Sequence, residues 1–178
     1  MEIILAENHG FCYGVKRAVE MADEAANSEG KSYTLGPIIH NPQVVGRLEN
    51  KGVSPIQEVA DIDEGTMIIR SHGVGPAIYA EAEEKGLHIL DATCPHVKKA
   101  QQDAKSVIED GMTLVILGEK NHPEVKSINL WANNKGIIIE DEESAEKLQI
   151  VEKMGVVVQT TFSQFKFNSI IEILEKKS

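Results

Sequence analysis

Two cysteines, three histidines and one glutamate carry the chemical interest of this sequence, and they recur in one setting. Cys94 stands in DATCPHVKKA, directly before a proline, where a strand-like stretch gives way to a helix-like one. Proline suits the first helical position because its missing N–H would lack a partner there. A cysteine before it has no such structural reason: helix caps are Ser, Thr, Asp or Asn, whose oxygens accept from the exposed N–H groups, and a thiol does so poorly. Cys12, in ENHGFCYGV, stands between the apolar run MEIILAE and the first helical pattern. His40 follows KSYTLG, with Pro42 two residues on, and His72 follows TMIIRS, with Pro76 opening the next helix. His122 follows MTLVILG, with Pro123 and Glu124 directly after it. Five of the eight Cys and His residues thus lie past a strand's carboxyl end and close to a helix's amino end.

In open parallel sheets, ligands bind outside the carboxyl ends of the strands, where the following loops converge. Helix amino ends expose N–H donors and carry about half a positive charge, so several aimed inward favour an anion such as phosphate or diphosphate. His40, His72 and His122 add donors, and an anion beside them keeps them charged. For Cys12 and Cys94 the same helix ends favour thiolate, the form that ligates soft metals or attacks as a nucleophile. Glu124 beside a polyanion is a candidate proton donor. Thr160, Thr161 and Ser163 close the last strand in QTTFS, one of them as a helix cap and another as a ligand-facing hydroxyl. His9, His88 and His96 read as structural or exposed, and Trp131 as packing.

Strands and helices must bring these groups together. Short runs rich in Ile, Val and Leu occur at MEIILAE, KSYTLG, TMIIRS, LHILDAT, MTLVILG, KGIIIED and GVVVQTT, with a weaker one near GVSPI. Between most of them lie three-to-four-spaced apolar stripes: Val15, Ala18, Val19, Ala22 and Ala26; then Val97, Ala100, Ala104, Val107 and Ile108; last Phe167, Ile170, Ile171 and Leu174. Strands alternating with helices imply an α/β protein with mainly parallel sheets flanked by helices. A boundary near residue 95 divides it into two similar small domains, 1–94 and 95–178, each with about four strands. The run EDEESAEK reads as a solvated helix start.

Composition narrows the function classes. The 178 residues are 42% apolar and 26% charged, as in an ordinary globular chain, and the net charge of −10 argues against a nucleic-acid surface. No apolar run reaches the length of a membrane helix, and the amino terminus lacks the basic head of a secretory signal, so the chain reads as cytoplasmic with no membrane partner. In a reducing cytoplasm a Cys12–Cys94 disulfide is not expected.

The ordered motifs GFCYGVKRA, IHNPQVV, SHGV, DATCP, HPEV and QTT resemble those of the 4-hydroxy-3-methylbut-2-enyl diphosphate reductases, the LytB/IspH family, over nearly the whole chain. The resemblance implies three similar α/β domains around a 4Fe–4S iron–sulfur cluster held by three cysteines. By the same comparison Cys12 and Cys94 match the first two ligands, and His40, His72 and His122 line the diphosphate pocket. Glu124 then belongs to the proton path, and Thr160 lies beside the substrate hydroxyl. The family reaction takes two electrons, from a donor such as ferredoxin or flavodoxin, and two protons. It removes that hydroxyl from the small allylic diphosphate as water, giving isopentenyl and dimethylallyl diphosphates in isoprenoid biosynthesis.

The third cysteine ligand and the family's third domain are absent from this chain, which therefore reads as the amino-terminal two-domain portion, inactive alone. Residues 1–7 are expected to form a strand that, in the family, packs with that further domain. The alternative is a non-catalytic diphosphate-binding module. A zinc hydrolase is disfavoured because HPEV lacks the H-E-x-x-H spacing, and a redox dithiol because no C-x-x-C is present.

Overall fold

In a computed structural model, which describes residues 3–7, 9–28 and 30–177, the β-branched runs form strands and the striped segments between them form helices. The order is α1 (Tyr13–Ala26), β1 (Ser32–Leu35), α2 (Pro42–Glu49), β2 (Val53–Ile56), β3 (Thr66–Ile69), α3 (Pro76–Glu84) and β4 (His88–Asp91). It continues with α4 (Pro95–Glu109), β5 (Thr113–Leu117), α5 (Pro123–Trp131), β6 (Ile137–Ile139), α6 (Glu142–Lys147), β7 (Met154–Val158) and α7 (Gln164–Leu174). The strands make two sheets, ordered β2-β1-β3-β4 and β6-β5-β7, with every pairing parallel. Parallel neighbours need a crossover, and the helices that supply it cover both faces.

Burial on both faces explains why the central strands TMII and TLVIL read as unbroken apolar runs. Alternation still sorts their side chains. Ile68 packs with Ala18, Ala22 and Leu48 under α1 and α2, while Met67 and Ile69 face Ala82 and Leu87 on the α3 side. In the second sheet Leu114 and Ile116 meet Ala104, Val125 and Ile128 of α4 and α5, while Val115 and Leu117 meet Ile170 and Leu174 of α7. The acidic run begins α6 with a reciprocal cap between Asp141 and Ser144.

The loops and helices of the two sheets interlock. The Trp131 indole N–H donates to the Val74 carbonyl at 2.9 Å, and its ring meets Tyr79 edge-on at 6.0 Å. Within the first half, the Cys94 N–H donates to the Ser71 carbonyl at 2.9 Å, fixing the residue that leads into α4. Gly73, at φ +72°, sits where a Cβ would collide with the Gln101 amide, itself bonded to Ser127 at 2.6 Å. Only glycine satisfies both demands, which accounts for its place in SHGV.

Two expectations fail. The second sheet has three strands where about four were expected, since only MTLVILG, KGIIIED and GVVVQTT follow residue 95. Residues 1–7 also form no strand among those described: Met1 and Glu2 lie outside the described residues, and Ile3, Ile4 and Leu5 are 77%, 82% and 79% exposed with no pairing partner. A strand needs a neighbour to satisfy its backbone groups, and apolar content alone does not supply one. Cys12 therefore heads a helix without following a strand.

Candidate active site

Each sheet reverses its winding once. From β1 the chain passes to β2 on one side, whereas β3 leads to β4 on the other, so the loops after β1 and β3 diverge and leave a crevice at the strands' carboxyl ends. His40 follows β1 and His72 follows β3. In the second sheet the reversal lies between β5 and β7; His122 and Glu124 follow β5, and Thr160 follows β7. Two crevices meet at one rim. The imidazole centroids of His40 and His72 are 4.5 Å apart, those of His72 and His122 5.5 Å, and those of His40 and His122 6.0 Å.

Local capping fixes these rings. Asn41 caps α2 by accepting from the Val44 N–H at 3.1 Å, leaving His40 one residue outside the helix. His122 is itself the cap of α5, its Nδ1 accepting from the Glu124 N–H at 3.2 Å. A neutral His122 thus carries its proton on Nε2 and can donate from that side. His72 Nδ1 is buried without a partner.

Burial first, then His40, His122 and Arg70, hold His72 down from 6.5 to about 4. Without an anion, therefore, this ring is neutral at pH 7. Between about 4 and 6.5 the unfolded chain binds this proton and the folded chain does not, so stability rises with pH across that window. Urea midpoints measured from pH 4 to 6.5 are expected to climb in the wild type and to climb less in His72→Gln. Parallel slopes would contradict the assignment.

Glu124, 2% exposed, occupies the first turn of α5. Its Oε1 accepts from the Thr160 N–H at 2.6 Å and its Oε2 from the Thr160 hydroxyl at 2.8 Å. Thr160 is exposed, so the buried carboxyl reaches the rim through that hydroxyl. Ser163 provides the helix cap, accepting from the Lys166 N–H, and Thr161 accepts from the Gln159 amide at 3.0 Å.

Cys12 and Cys94 are the caps of α1 and α4, neither makes a side-chain cap bond, and no disulfide joins them. Both therefore keep an uncommitted thiol at a helix amino end, Cys12 exposed and Cys94 half-buried. Gly14 shows how closely the two segments approach, since a Cβ there would stand 2.5 Å from Cys94 Sγ. Arg17 ties the same segments by donating to the carbonyls of Thr93 and Asp91 at 3.3 and 3.4 Å. His9, His88 and His96 are exposed and stand apart from the histidine cluster. Sequence reading missed Gly14 and Arg70. Gly14 had a signal in the glycine two residues after Cys12, while Arg70 had none beyond its place before SHGV.

Fold and rim together define a parallel α/β protein whose switch-point loops gather three imidazoles beside a buried carboxyl, with two free thiols at the amino ends of α1 and α4. A family profile described as LytB protein matches residues 3–178, and the chain belongs to that family. It is 49% identical over 178 residues to the 4-hydroxy-3-methylbut-2-enyl diphosphate reductase of Geobacter metallireducens, covering 99% of this chain and 63% of the relative. The reductase of the same name from Caldanaerobacter subterraneus is 46% identical, with 100% and 64% covered. Among solved structures, the E-1-hydroxy-2-methyl-but-2-enyl-4-diphosphate reductase of Plasmodium falciparum superposes with a TM-score of 0.90 at 31% identity, over 96% of this chain and 55% of that one. An (E)-4-hydroxy-3-methyl-but-2-enyl diphosphate reductase structure gives 0.82 at 44% identity, over 97% and 63%. The chain thus spans just under two thirds of the length of these curated relatives. Among the described residues no helix is long and apolar enough to cross a membrane.

Proposed function

We propose that these residues serve the reductive dehydroxylation of (E)-4-hydroxy-3-methylbut-2-enyl diphosphate in a cytoplasmic, three-domain reductase. In that reading 1–94 and 95–178 form two of its α/β domains. The observation that carries it is the meeting of three imidazoles from two sheets beside the Glu124–Thr160 pair. His40, His72 and His122 hold the diphosphate, with the amino ends of α2, α3 and α5 adding favourable partial charge. A proton on Glu124 Oε2 passes to the Thr160 oxygen as that hydroxyl gives its own proton to the leaving hydroxyl, which departs as water.

Cys12 and Cys94 fit two thiolate ligands of a 4Fe–4S cluster: each heads a helix, neither is engaged in capping, and Gly14 clears the space beside Cys94. This chain has no third cysteine. When bound, the cluster supplies the two electrons, delivered by a ferredoxin or flavodoxin, and Lewis acidity toward the hydroxyl.

The same three imidazoles also place ligand atoms within 4.8 Å of one another, a spacing that could suit a cation. Positive helix ends favour an anion instead. Calorimetry of the chain with inorganic pyrophosphate separates the readings. Metal-independent binding is expected, weakened about ten- to hundredfold in His122→Ala, the loss of one hydrogen bond to a charged group. Binding at pH 6 should also take up more protons in the wild type than in His72→Gln, because the anion draws His72 back toward its charged form. Binding only with added Zn²⁺, or none, would sink the diphosphate assignment.

A further inference from the structure

Arg70 has no ion-pair partner among the described residues. Its Nε is buried without a hydrogen-bond partner, and burial alone shifts the guanidinium below its ordinary value, with no carboxylate acting on it. Arg70 is half-buried, and a partly desolvated cation gains from an anion that meets it. The chain leaves room for the guanidinium: Gly36, at φ +71°, would with a Cβ stand 2.8 Å from Arg70 Nη1. Beside it is a cavity of about 380 Å³ walled by Arg70 and Lys126 together with the apolar side chains of Leu35, Ile78 and Leu130. Among the described residues no acidic side chain lines it, and none of the three clustered histidines does. Lys126, like Arg70, has no ion pair among the described residues.

We propose that this cavity is a second binding site, separate from the histidine cluster, for a small oxyanion carried on an apolar body: an organic phosphate or carboxylate held by Arg70 and Lys126. Arginine's planar fork matches two oxygens of either head group. The volume lies in the range of small-molecule sites. The aliphatic wall gives the ligand's carbon chain somewhere to leave water. The site stands on its own observations and does not depend on what the imidazoles hold.

The test is calorimetry of the chain with n-butyl phosphate, inorganic phosphate and pentanoate. Butyl phosphate is expected to bind more tightly than inorganic phosphate, by about fourfold for each methylene buried. Its affinity should fall at least about tenfold in Arg70→Met and in Lys126→Ala, and persist in His122→Ala, as expected where a charge-assisted hydrogen bond is lost only in the first two. Pentanoate binding stronger or weaker than butyl phosphate identifies the preferred head group. Lys126 is exposed, so Lys126→Ala guards against misfolding of the Arg70 variant, and both melting curves are recorded. No saturable binding, binding untouched in both folded variants, or loss in His122→Ala with retention in Arg70→Met would each overturn the proposal. Pyrophosphate binding lost only in His122→Ala keeps the two sites distinct.

Discussion

Glu124→Gln in the three-domain reductase is expected to lower turnover by about 10²–10⁴-fold while diphosphate affinity changes less than about threefold. Glutamine keeps the shape of the side chain, and its amide oxygen can still accept from the Thr160 N–H that now binds Oε1 at 2.6 Å. What it loses is the proton. The amide nitrogen that replaces Oε2 faces the Thr160 hydroxyl as a donor, so the path from buried carboxyl to rim is cut without moving the histidines. Equal losses in turnover and affinity would instead make Glu124 a group that binds substrate. Thr160→Val should resemble the glutamine variant if the hydroxyl relays the proton.

Gly14→Ala should have the second largest effect, although it adds one methyl group. The new Cβ would stand 2.5 Å from Cys94 Sγ and 3.1 Å from Cys94 Cβ, so either the thiol turns away or α1 shifts. Overpacking of this kind costs about 1–3 kcal/mol, which shows as a modest fall in melting temperature. The larger consequence concerns the thiol. Anaerobic iron–sulfur reconstitution of the three-domain protein should lose its broad visible absorbance in Gly14→Ala as it does in Cys94→Ser. In the chain alone, alkylation of Cys94 should change rate while that of Cys12 does not. Wild-type absorbance with an unchanged Cys94 rate would show that the thiol has room to spare.

Much of the fold is written in local pattern. The stripes on α1, α4 and α7 and the aliphatic runs of β3 and β5 state which faces are buried, because periodicity and burial are the same fact seen twice. The run at Ile3–Leu5 shows the limit, since its strand-like composition says nothing of whether a neighbouring strand exists. Candidate site residues are legible as types in a recurring junction, which places each at some rim. That the rims of two sheets coincide depends on Trp131 and Gly73 locking one half against the other. Those contacts join residues far apart in the chain, and no local signal encodes them. Arg70 is harder still, because its interest lies in a partner it does not have.

Pro42, Pro76, Pro95 and Pro123 each open a helix at the rim. Their rings fix the first helical residue and hold the preceding one extended, as seen at Cys94 (φ −57°, ψ 134°) and His122 (φ −66°, ψ 135°). The unfolded chain bears the same restriction, so folding surrenders less backbone freedom at these positions than at ordinary loops. Little remains to be frozen when a ligand arrives, and affinity is spared most of the entropic loss that a mobile loop would impose. On the proposed reading, these four junctions meet an anion with little rearrangement of their own backbone.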